Sequence, residues 1–456
     1  NMIVDSKKIL FYFIVFHIIV WTIIPTIFNT NLPLDTIEAL AWGNELKLGY
    51  PKYPPIFPLF TELFYKIFGN QDWSYYLLSQ LLVATCFVIV FKFSRYFFNN
   101  KAYSLVSVLL LETIYFFNYT TPELNAFIPL LPLLAATAFF CWRAINFNNN
   151  FDWIMLGVFA GISTLTYYLS LYLLASISIF FIREMIINKK INYKLFLALS
   201  VYLLVLTPHL YFIFESNFQS IEYAFSRSFY SKTKFLDHLL YPLSFLIKQI
   251  LILVPLFILL RFLTSSFKIN IDLNDKKLIF LFTITLLPII LMFLTSIFGG
   301  VKIRTMWMTT FYIFHGIFFV YLFQLNINLE KLKFFFISIL IFFLILPTVY
   351  GTDSYFKKSK RTDFPGKTIA NKIQNTWNDN YSNEIEVVVG YGWVYGDWYG
   401  GNLSYHLKNR PIVKYQLKNF SDVGIVHIDT LNNIKSCKGI LLKIEPYYDS
   451  CLIGKK

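Results

Sequence analysis

The chain has 456 residues, is 56% hydrophobic and 14% charged, and has a mean hydropathy of +0.55, whereas an ordinary soluble domain is about 25% charged. That composition excludes a soluble enzyme. The net charge of +14 does not point to nucleic acid either, because most of the Lys and Arg residues sit in short loops between apolar runs and no folded basic module accompanies them.

The first apolar run, residues 9–28, follows Lys7 and Lys8 and carries no small-residue cleavage site, so it reads as a retained membrane span. Ten more runs follow at 73–95, 103–118, 123–144, 153–166, 168–183, 193–213, 239–262, 278–298, 306–324 and 333–350. Most approach the length of about 17 to 25 residues that crosses a hydrocarbon core about 30 Å thick, so the expected fold is a polytopic α-helical membrane protein of about eleven transmembrane helices. Basic residues fix its orientation: Lys7/Lys8, Lys92/Arg95/Lys101, Arg143, Arg183/Lys189/Lys190, Arg261/Lys268/Lys276/Lys277 and Lys331/Lys333 all fall on one side, expected to be cytoplasmic. The opposite side receives residues 32–72, the turn 118–123, the 214–238 loop, the 299–305 loop and the tail after Tyr350.

These outward segments hold the unusual chemistry. An amphipathic stretch over residues 30–72 brings Asp35, Glu38, Trp42 and Glu45 within an arc of roughly 80° if it is one helix, and the turn from Gly49 through Tyr50, Lys52 and Tyr53 to Pro55 follows it. A carboxylate in a helix first turn is favoured by the dipole, which accounts for Asp35 structurally; as a functional group it takes a proton from an acceptor or orders the acceptor or a cation. Glu123 follows Thr121-Pro122 at the mouth of a span and carries the same two readings. Lys302, Arg304, Arg227, Lys232 and Lys234 are outward basic residues that run against the charge bias. They suit either lipid headgroups or a bound phosphate, which a guanidinium holds bidentately. His209 reads more readily as a satisfied helix histidine than as a catalyst.

Few ionisable groups lie inside the spans, among them Glu112, His209, Lys248 and His315. A transporter needs charges or broken helices at mid-depth, so the pattern favours an enzyme working at the outer interface. No His-Glu-x-x-His, Walker loop or Gly-x-Ser-x-Gly elbow occurs. Cys86 and Cys141 lie inside spans as small hydrophobes, while Cys437 and Cys451 lie in the tail, either as one disulfide or as two free thiols. The tail, 351–456, reads as a small α/β domain, with a helix over 366–380, strands at 385–391, 411–415, 423–428 and 440–444, and a helical stretch at 402–409. Its Trp393, Tyr395, Trp398 and Tyr399 suit either carbohydrate stacking or an aromatic core.

Taken together, the sequence resembles the GT-C superfamily of polyprenyl-phosphate-sugar-dependent glycosyltransferases, within the branch of protein mannosyltransferases, the lipid A aminoarabinose transferase and the lipid A and core galacturonosyltransferases. The resemblance rests on LDTIEALAWG and LGYPKYPPIFP as the first outer loop, Thr121-Pro122-Glu123, the glycine-bearing 156–168 run ending in Thr166-Tyr167-Tyr168, Thr207-Pro208-His209 with Phe218 and Tyr223, the basic loop from Gly299 to Trp307, and the tail pieces FPGKTIANKIQNTW and YHLKNRPIV. Two positions depart from the pattern: Tyr53 stands where a His or Lys is usual, and Tyr167 where a Lys is.

The resemblance implies a transmembrane GT-C catalytic domain over 1–350 and a periplasmic domain over 351–456, in a bacterial inner membrane with the active site facing the periplasm. It implies inverting transfer from undecaprenyl phosphate to lipid A or another envelope glycan, with transfer to protein as the alternative acceptor class and lipid or sugar transport as the non-enzymatic alternative. Asp35 and Glu123 become the catalytic candidates, and Arg304, Lys302, Lys52 and Tyr53 the donor-phosphate ligands. Glu38, Trp42, Tyr50, His209 and Arg227 become acceptor-binding or supporting residues. A divalent cation is compatible with this scheme, and Asp35 is its candidate ligand. The partners implied are the lipid-linked sugar, the acceptor and membrane lipids.

Overall fold

In the computed structural model, which describes residues 5–228, 234–266, 269, 271–357, 359–391, 395–414, 424–430, 434, 436–444 and 448–456, the apolar runs form a helical bundle and the tail a sheet domain at one end of it. Lys232, Lys268 and Trp393, with the side chain of Tyr395, lie outside the described residues.

Helix α1 (Ser6–Phe28) opens at Asp5, whose carboxylate accepts from the amides of Lys7 and Lys8, satisfying donors that the first turn leaves free. Two short helices follow, α2 (Leu34–Gly43) and α3 (Ile56–Phe68), then α4 (Asp72–Ser94). The run expected to span 103–118 is α5 (Lys101–Leu109), tightening into 3-10 turns at Leu110–Thr113 and Tyr115–Phe117. Next come α6 (Phe127–Phe147), α7 (Asn150–Thr164), α8 (Ser170–Asn188) and α9 (Lys194–Glu215). The outward 214–238 loop contains a helix of its own, α10 (Gln219–Ser228), and leads to α11 (Asp237–Leu263).

Helices α12 (Lys276–Thr285) and α13 (Leu287–Gly299) are one apolar run bent by 42°. The bend falls where Pro288 lacks the amide that would continue the ladder. A 3-10 segment, Thr305–Tyr312, meets α14 (His315–Phe323) across a 55° bend, and α15 (Leu332–Phe356) closes the bundle.

Among the described residues seven helices are long and apolar enough to cross a membrane, or nine if each bent pair is one span. The other two expected spans are the broken α5 segment and α7, whose fifteen residues make about 22 Å of helix. Large apolar side chains on the outside of the bundle are more than half exposed, such as Phe11 at 62%, Leu204 at 72%, Leu251 at 62% and Leu340 at 56%. Surfaces of that kind are stable against lipid rather than water. Helix α3 is half of each: Leu59, Leu63 and Ile67 are exposed at i, i+4 and i+8, while Phe57, Thr61 and Glu62 face inward. It is therefore an amphipathic helix suited to the membrane surface.

The tail begins with α16 (Gly366–Asn380) and continues through β1 (Val387–Gly390), α17 (Tyr395–His406), β2 (Ile412–Lys414), β3 (Ile425–Thr430), β4 (Ile440–Ile444) and β5 (Tyr448–Ile453). The strand order is β2-β1-β3-β5-β4, with β1 parallel to both neighbours and β5 antiparallel to both of its own. All four residues of β1 are buried, as a central parallel strand requires. Two expectations change here. Strand β5 carries YDSCLI, whose polar residues hid it, and α17 starts well before the helical stretch expected at 402–409. Cys437 and Cys451 are joined as a disulfide, with Cα atoms 5.6 Å apart, resolving the two readings left open above. Trp398 and Tyr399 are 6% and 7% exposed, packed on Phe364 and Tyr448, so both are core aromatics rather than a stacking platform.

The tail domain is docked through polar contacts as well as apolar ones. Helix α17 packs on α2 so closely that a Cβ on Gly401 would meet the Ile37 Cγ2 at 2.8 Å. Arg410 forms an ion pair with Glu62 at 2.7 Å and donates to the Leu40 carbonyl at 2.7 Å, and its guanidinium lies 3.6 Å from the Tyr65 ring centre. Tyr405 donates to Asp72 at 2.7 Å. Because Arg410 and Glu62 are only 9% and 8% exposed, Arg410→Ala leaves a carboxylate buried without its partner, a change that costs about 3–5 kcal/mol. Limited proteolysis of the purified variant is expected to release the tail domain much faster than from the parent protein; an unchanged digestion pattern would show that the contact does not hold the domain.

Candidate active site

Asp35 stands in the first turn of α2, behind Pro33, on a helix otherwise almost wholly buried. Its side chain opens into a cavity of about 290 Å3 where α2, the 50–55 turn, the 125–127 segment, Tyr167, α10 and the 304–307 loop meet. Asp35, Glu38, Lys52, Tyr53, Tyr167, Tyr223, Arg227, Arg304 and Trp307 all line it. Residues separated by nearly 270 positions in sequence therefore share one chamber at the end of the bundle that carries the tail domain.

The acidic wall is divided. Glu38 is 2% exposed and lies 2.5 Å from the Lys52 ammonium, which is also 3.5 Å from Asp397 of α17. Trp42 donates its indole N–H to Asp397 at 3.3 Å, and the Lys52 ammonium sits 5.6 Å from the Trp42 ring centre. Glu38 is thus a buried ion-pair partner and not part of a solvated helix face. Glu45 is not on that face at all, since α2 ends at Gly43; it binds Lys414 of β2 at 2.7 Å.

Burial pushes the Glu38 carboxyl up to about 8, with Lys52 pulling against it and the Asp35 and Asp397 charges adding to it. Burial disfavours the Lys52 ammonium, but Glu38 and Asp397 outweigh it and hold Lys52 above its ordinary value. Burial likewise raises Asp35, opposed by Lys52, Arg361 and Arg227.

Glu123 does not begin a helix: α6 starts four residues later, at Phe127, and Glu123 closes a turn by donating its amide to Thr120. Its carboxyl is pushed up to about 7 by partial burial and by the Asp35 charge, with Arg361 opposing. Arg361 faces both carboxylates electrostatically. It lies in the short 3-10 turn Arg361–Asp363 between the bundle and the tail sheet.

The basic wall is formed by Arg304 and Arg227. Arg304 lies 5.9 Å from the Trp307 ring centre and has no carboxylate partner among the described residues. Lys302 points elsewhere, toward the Tyr241 ring at 5.9 Å, and is not among the lining residues. Lys52 lines the cavity, but its ammonium is already held by two carboxylates. The remaining surface is aromatic: Tyr53 contacts Trp42 and Tyr167 at 5.6 Å each, and Tyr167 contacts Phe127 at 5.0 Å. Burial raises the hydroxyls of Tyr53 and Tyr167, so both are neutral donors at physiological pH.

Two expected residues support this wall from behind. Tyr50 stacks on Trp42 at 5.7 Å and donates to the Glu45 carbonyl at 3.0 Å. His209 contacts the Leu48 carbonyl through Nδ1 and Tyr168 Oη through Nε2, both at 2.8 Å. A carbonyl only accepts, so Nδ1 carries the proton and Nε2 accepts from Tyr168. Gly49 is required beside it, because a Cβ there would come within 2.8 Å of the His209 ring and 2.4 Å of Phe212. His209 therefore pins the 44–55 turn to α9 and does not reach the cavity. No group of three His, Cys, Asp or Glu side chains among the described residues is placed to hold a metal ion.

Asp397 and Arg361 were not anticipated. Asp397 lay in YGDWYGG, whose glycines read as a turn, and Arg361 in a linker without periodicity.

Residues 52–212 match the family model described as dolichyl-phosphate-mannose-protein mannosyltransferase. The whole fold is similar to the crystal structure of ArnT from Cupriavidus metallidurans bound to undecaprenyl phosphate, with a TM-score of 0.67 at 10% identity over 98% of both chains. The apo structure of the same protein gives a TM-score of 0.61 at 11% identity, again over 98% of both chains. Comparison with curated proteins finds no match. Both findings agree with the GT-C resemblance: the chain has an ArnT-like, mostly helical fold with several helices long and apolar enough to cross a membrane.

Proposed function

We propose that the protein transfers a sugar from a polyprenyl phosphate, of the undecaprenyl type, to lipid A or another envelope glycan at the periplasmic face of the inner membrane. The observation that carries this reading is that Asp35, Arg304 and Arg227 line one cavity. The ArnT structure's bound undecaprenyl phosphate supports the donor class.

In the proposed reaction an acceptor oxygen attacks the anomeric carbon from the Asp35 side, the carbon–oxygen bond to the donor phosphate breaks, and polyprenyl phosphate leaves with the bonding pair. Configuration inverts in this single displacement. A hydroxyl acceptor loses its proton to Asp35; a phosphate acceptor is already anionic, and Asp35 then orients it. Charge grows on the leaving phosphate, so Arg304 and Arg227 act most strongly as the bond breaks. Tyr53 and Tyr167, neutral donors on the same wall, hydrogen-bond the donor. Lys52, Glu38, Asp397 and Trp42 form a buried frame that holds the turn bearing Tyr53.

With a hydroxyl acceptor the rate depends on ionised Asp35. Its pKa is raised, so transfer falls on acidification above the ordinary carboxylate range. Glu123 and Asp35 repel, and Glu123→Gln removes that repulsion and is expected to shift the acidic limb of the pH–rate profile to lower pH. A limb that does not move would separate Glu123 from the reacting carboxylate.

The family model's description names protein as acceptor, and this favours protein O-glycosylation as a second reading with the same donor chemistry. Mass spectra of lipid A from cells with and without the gene test the first. A missing sugar-sized increment is expected, and an unchanged lipid A spectrum with altered glycoproteins would transfer the assignment to protein.

A further inference from the structure

At the opposite end of α7 from Tyr167, about 22 Å of helix away, lies a second cavity of about 500 Å3 that the transfer reaction does not use. It opens between the α6–α7 and α8–α9 turns and the start of α12, and three lysines line it, Lys190, Lys194 and Lys276. Lys194 donates to the Asn148 carbonyl at 2.5 Å, which leaves two of its N–H groups for another acceptor. Lys190 and Lys276 have no carboxylate partner among the described residues. Glu184 also lines the cavity, but Arg183 neutralises it at 2.7 Å. The floor is aromatic, with Phe181 backed by the fully buried Trp153 ring 5.7 Å away. The Trp153 indole is fixed by donating to Asn148 Oδ1 at 3.1 Å. Around the rim, Ile191 and Tyr193 are 54% and 78% exposed.

Three cations over an apolar floor, at the edge of a lipid-facing surface, form a composite environment. A soluble anion has no use for the aromatic floor and apolar rim, and a zwitterionic headgroup gains nothing net from three ammonium groups. The volume falls within the range of small-molecule sites, about 300–1,000 Å3. We propose that this cavity binds the headgroup of an anionic phospholipid from the leaflet opposite the active site. The phosphate is held by Lys190, Lys194 and Lys276, and the glycerol region rests on Phe181. The end that carries it also holds Lys7, Lys92 and Arg143, as the charge bias predicts for the cytoplasmic side. That bias alone makes no cavity; the convergence of three lysines into one does.

The test is native mass spectrometry of the full-length protein after exchange into mixed vesicles of phosphatidylglycerol and phosphatidylcholine in equal amounts. The parent protein is expected to retain phosphatidylglycerol in preference, and the Lys190→Gln, Lys194→Gln, Lys276→Gln variant to lose that retention about 100-fold, each lysine near an anionic headgroup contributing about one factor of five. Lys92→Gln with Lys101→Gln, at the same end but outside the cavity, should leave it unchanged. Lys190→Gln alone, on an exposed turn, serves where the triple variant does not accumulate, with about a fivefold loss expected. Equal retention in parent and variant, or equal retention of the two lipids, overturns the proposal. Displacement of the lipid by glycerol phosphate at comparable concentration overturns it in favour of a soluble phosphate.

Discussion

Asp35→Asn is expected to lower sugar transfer by about 10²–10⁴-fold for a hydroxyl acceptor, the range that a positioned general base supplies, with the protein still folded. Asparagine keeps the shape and removes the charge. The Asp35 carboxylate makes no hydrogen bond or ion pair among the described residues, so the substitution strands no partner, in contrast to Glu38, whose loss would leave Lys52 with Asp397 alone. Burial raises the Asp35 pKa against three nearby cations, an environment that tunes a base toward neutral pH. A control separates position from charge: Glu45→Gln, in the same loop but bound to Lys414, should leave the rate close to that of the parent. Unfolding temperature in detergent should be unchanged for Asp35→Asn. If transfer survives it undiminished, the acidic wall is not the site of proton removal.

Arg304→Ala is expected to lower transfer by about 10²–10³-fold, as removal of one preorganised charge-stabilising group does elsewhere. The guanidinium has no competing carboxylate among the described residues and borders the same cavity as Asp35. Because charge on the leaving phosphate is larger in the transition state than in the bound donor, kcat should fall more than donor affinity. Arg304→Lys keeps one positive charge and loses the two-pronged geometry, so it should lie between the parent and the alanine variant. Lys302→Ala is the contrast: Lys302 faces Tyr241 outside the cavity and its loss should be nearly silent.

Much of this was legible in the chain because hydropathy periods are local. Each of the eleven apolar runs corresponds to helix in the structure, including the three that Pro288 and the 3-10 turns break. The helix at 366–380 was placed at its observed ends. Asp35 could be singled out from the acidic face of the stretch after the first span, and Arg227 and Arg304 because basic residues on the expected outward side run against the charge bias. Their convergence could not be read, since it depends on how α2 and α10 pack.

What failed to show in the sequence was tertiary. Glu38 looked like a solvated residue because nothing local revealed that α17 would cover α2 and bring Asp397 to Lys52. Lys52 looked free for phosphate for the same reason. Glu45 falls off the helix face because α2 stops at Gly43-Asn44, a stop signal that the acidic spacing overrode, and β5 was missed because Asp449, Ser450 and Cys451 are buried against the α/β core rather than exposed as their polarity implied.

The central claim, that the Asp35–Arg304 cavity carries out transfer from a lipid-linked sugar, is tested most directly by reconstitution. Purified protein in proteoliposomes is given polyprenyl phosphate sugars and lipid A, and both products are followed by mass spectrometry. Lipid A is expected to gain one sugar mass for each polyprenyl phosphate released, with the reaction lost in both Asp35→Asn and Arg304→Ala. Equal turnover by the parent and the two variants would contradict it.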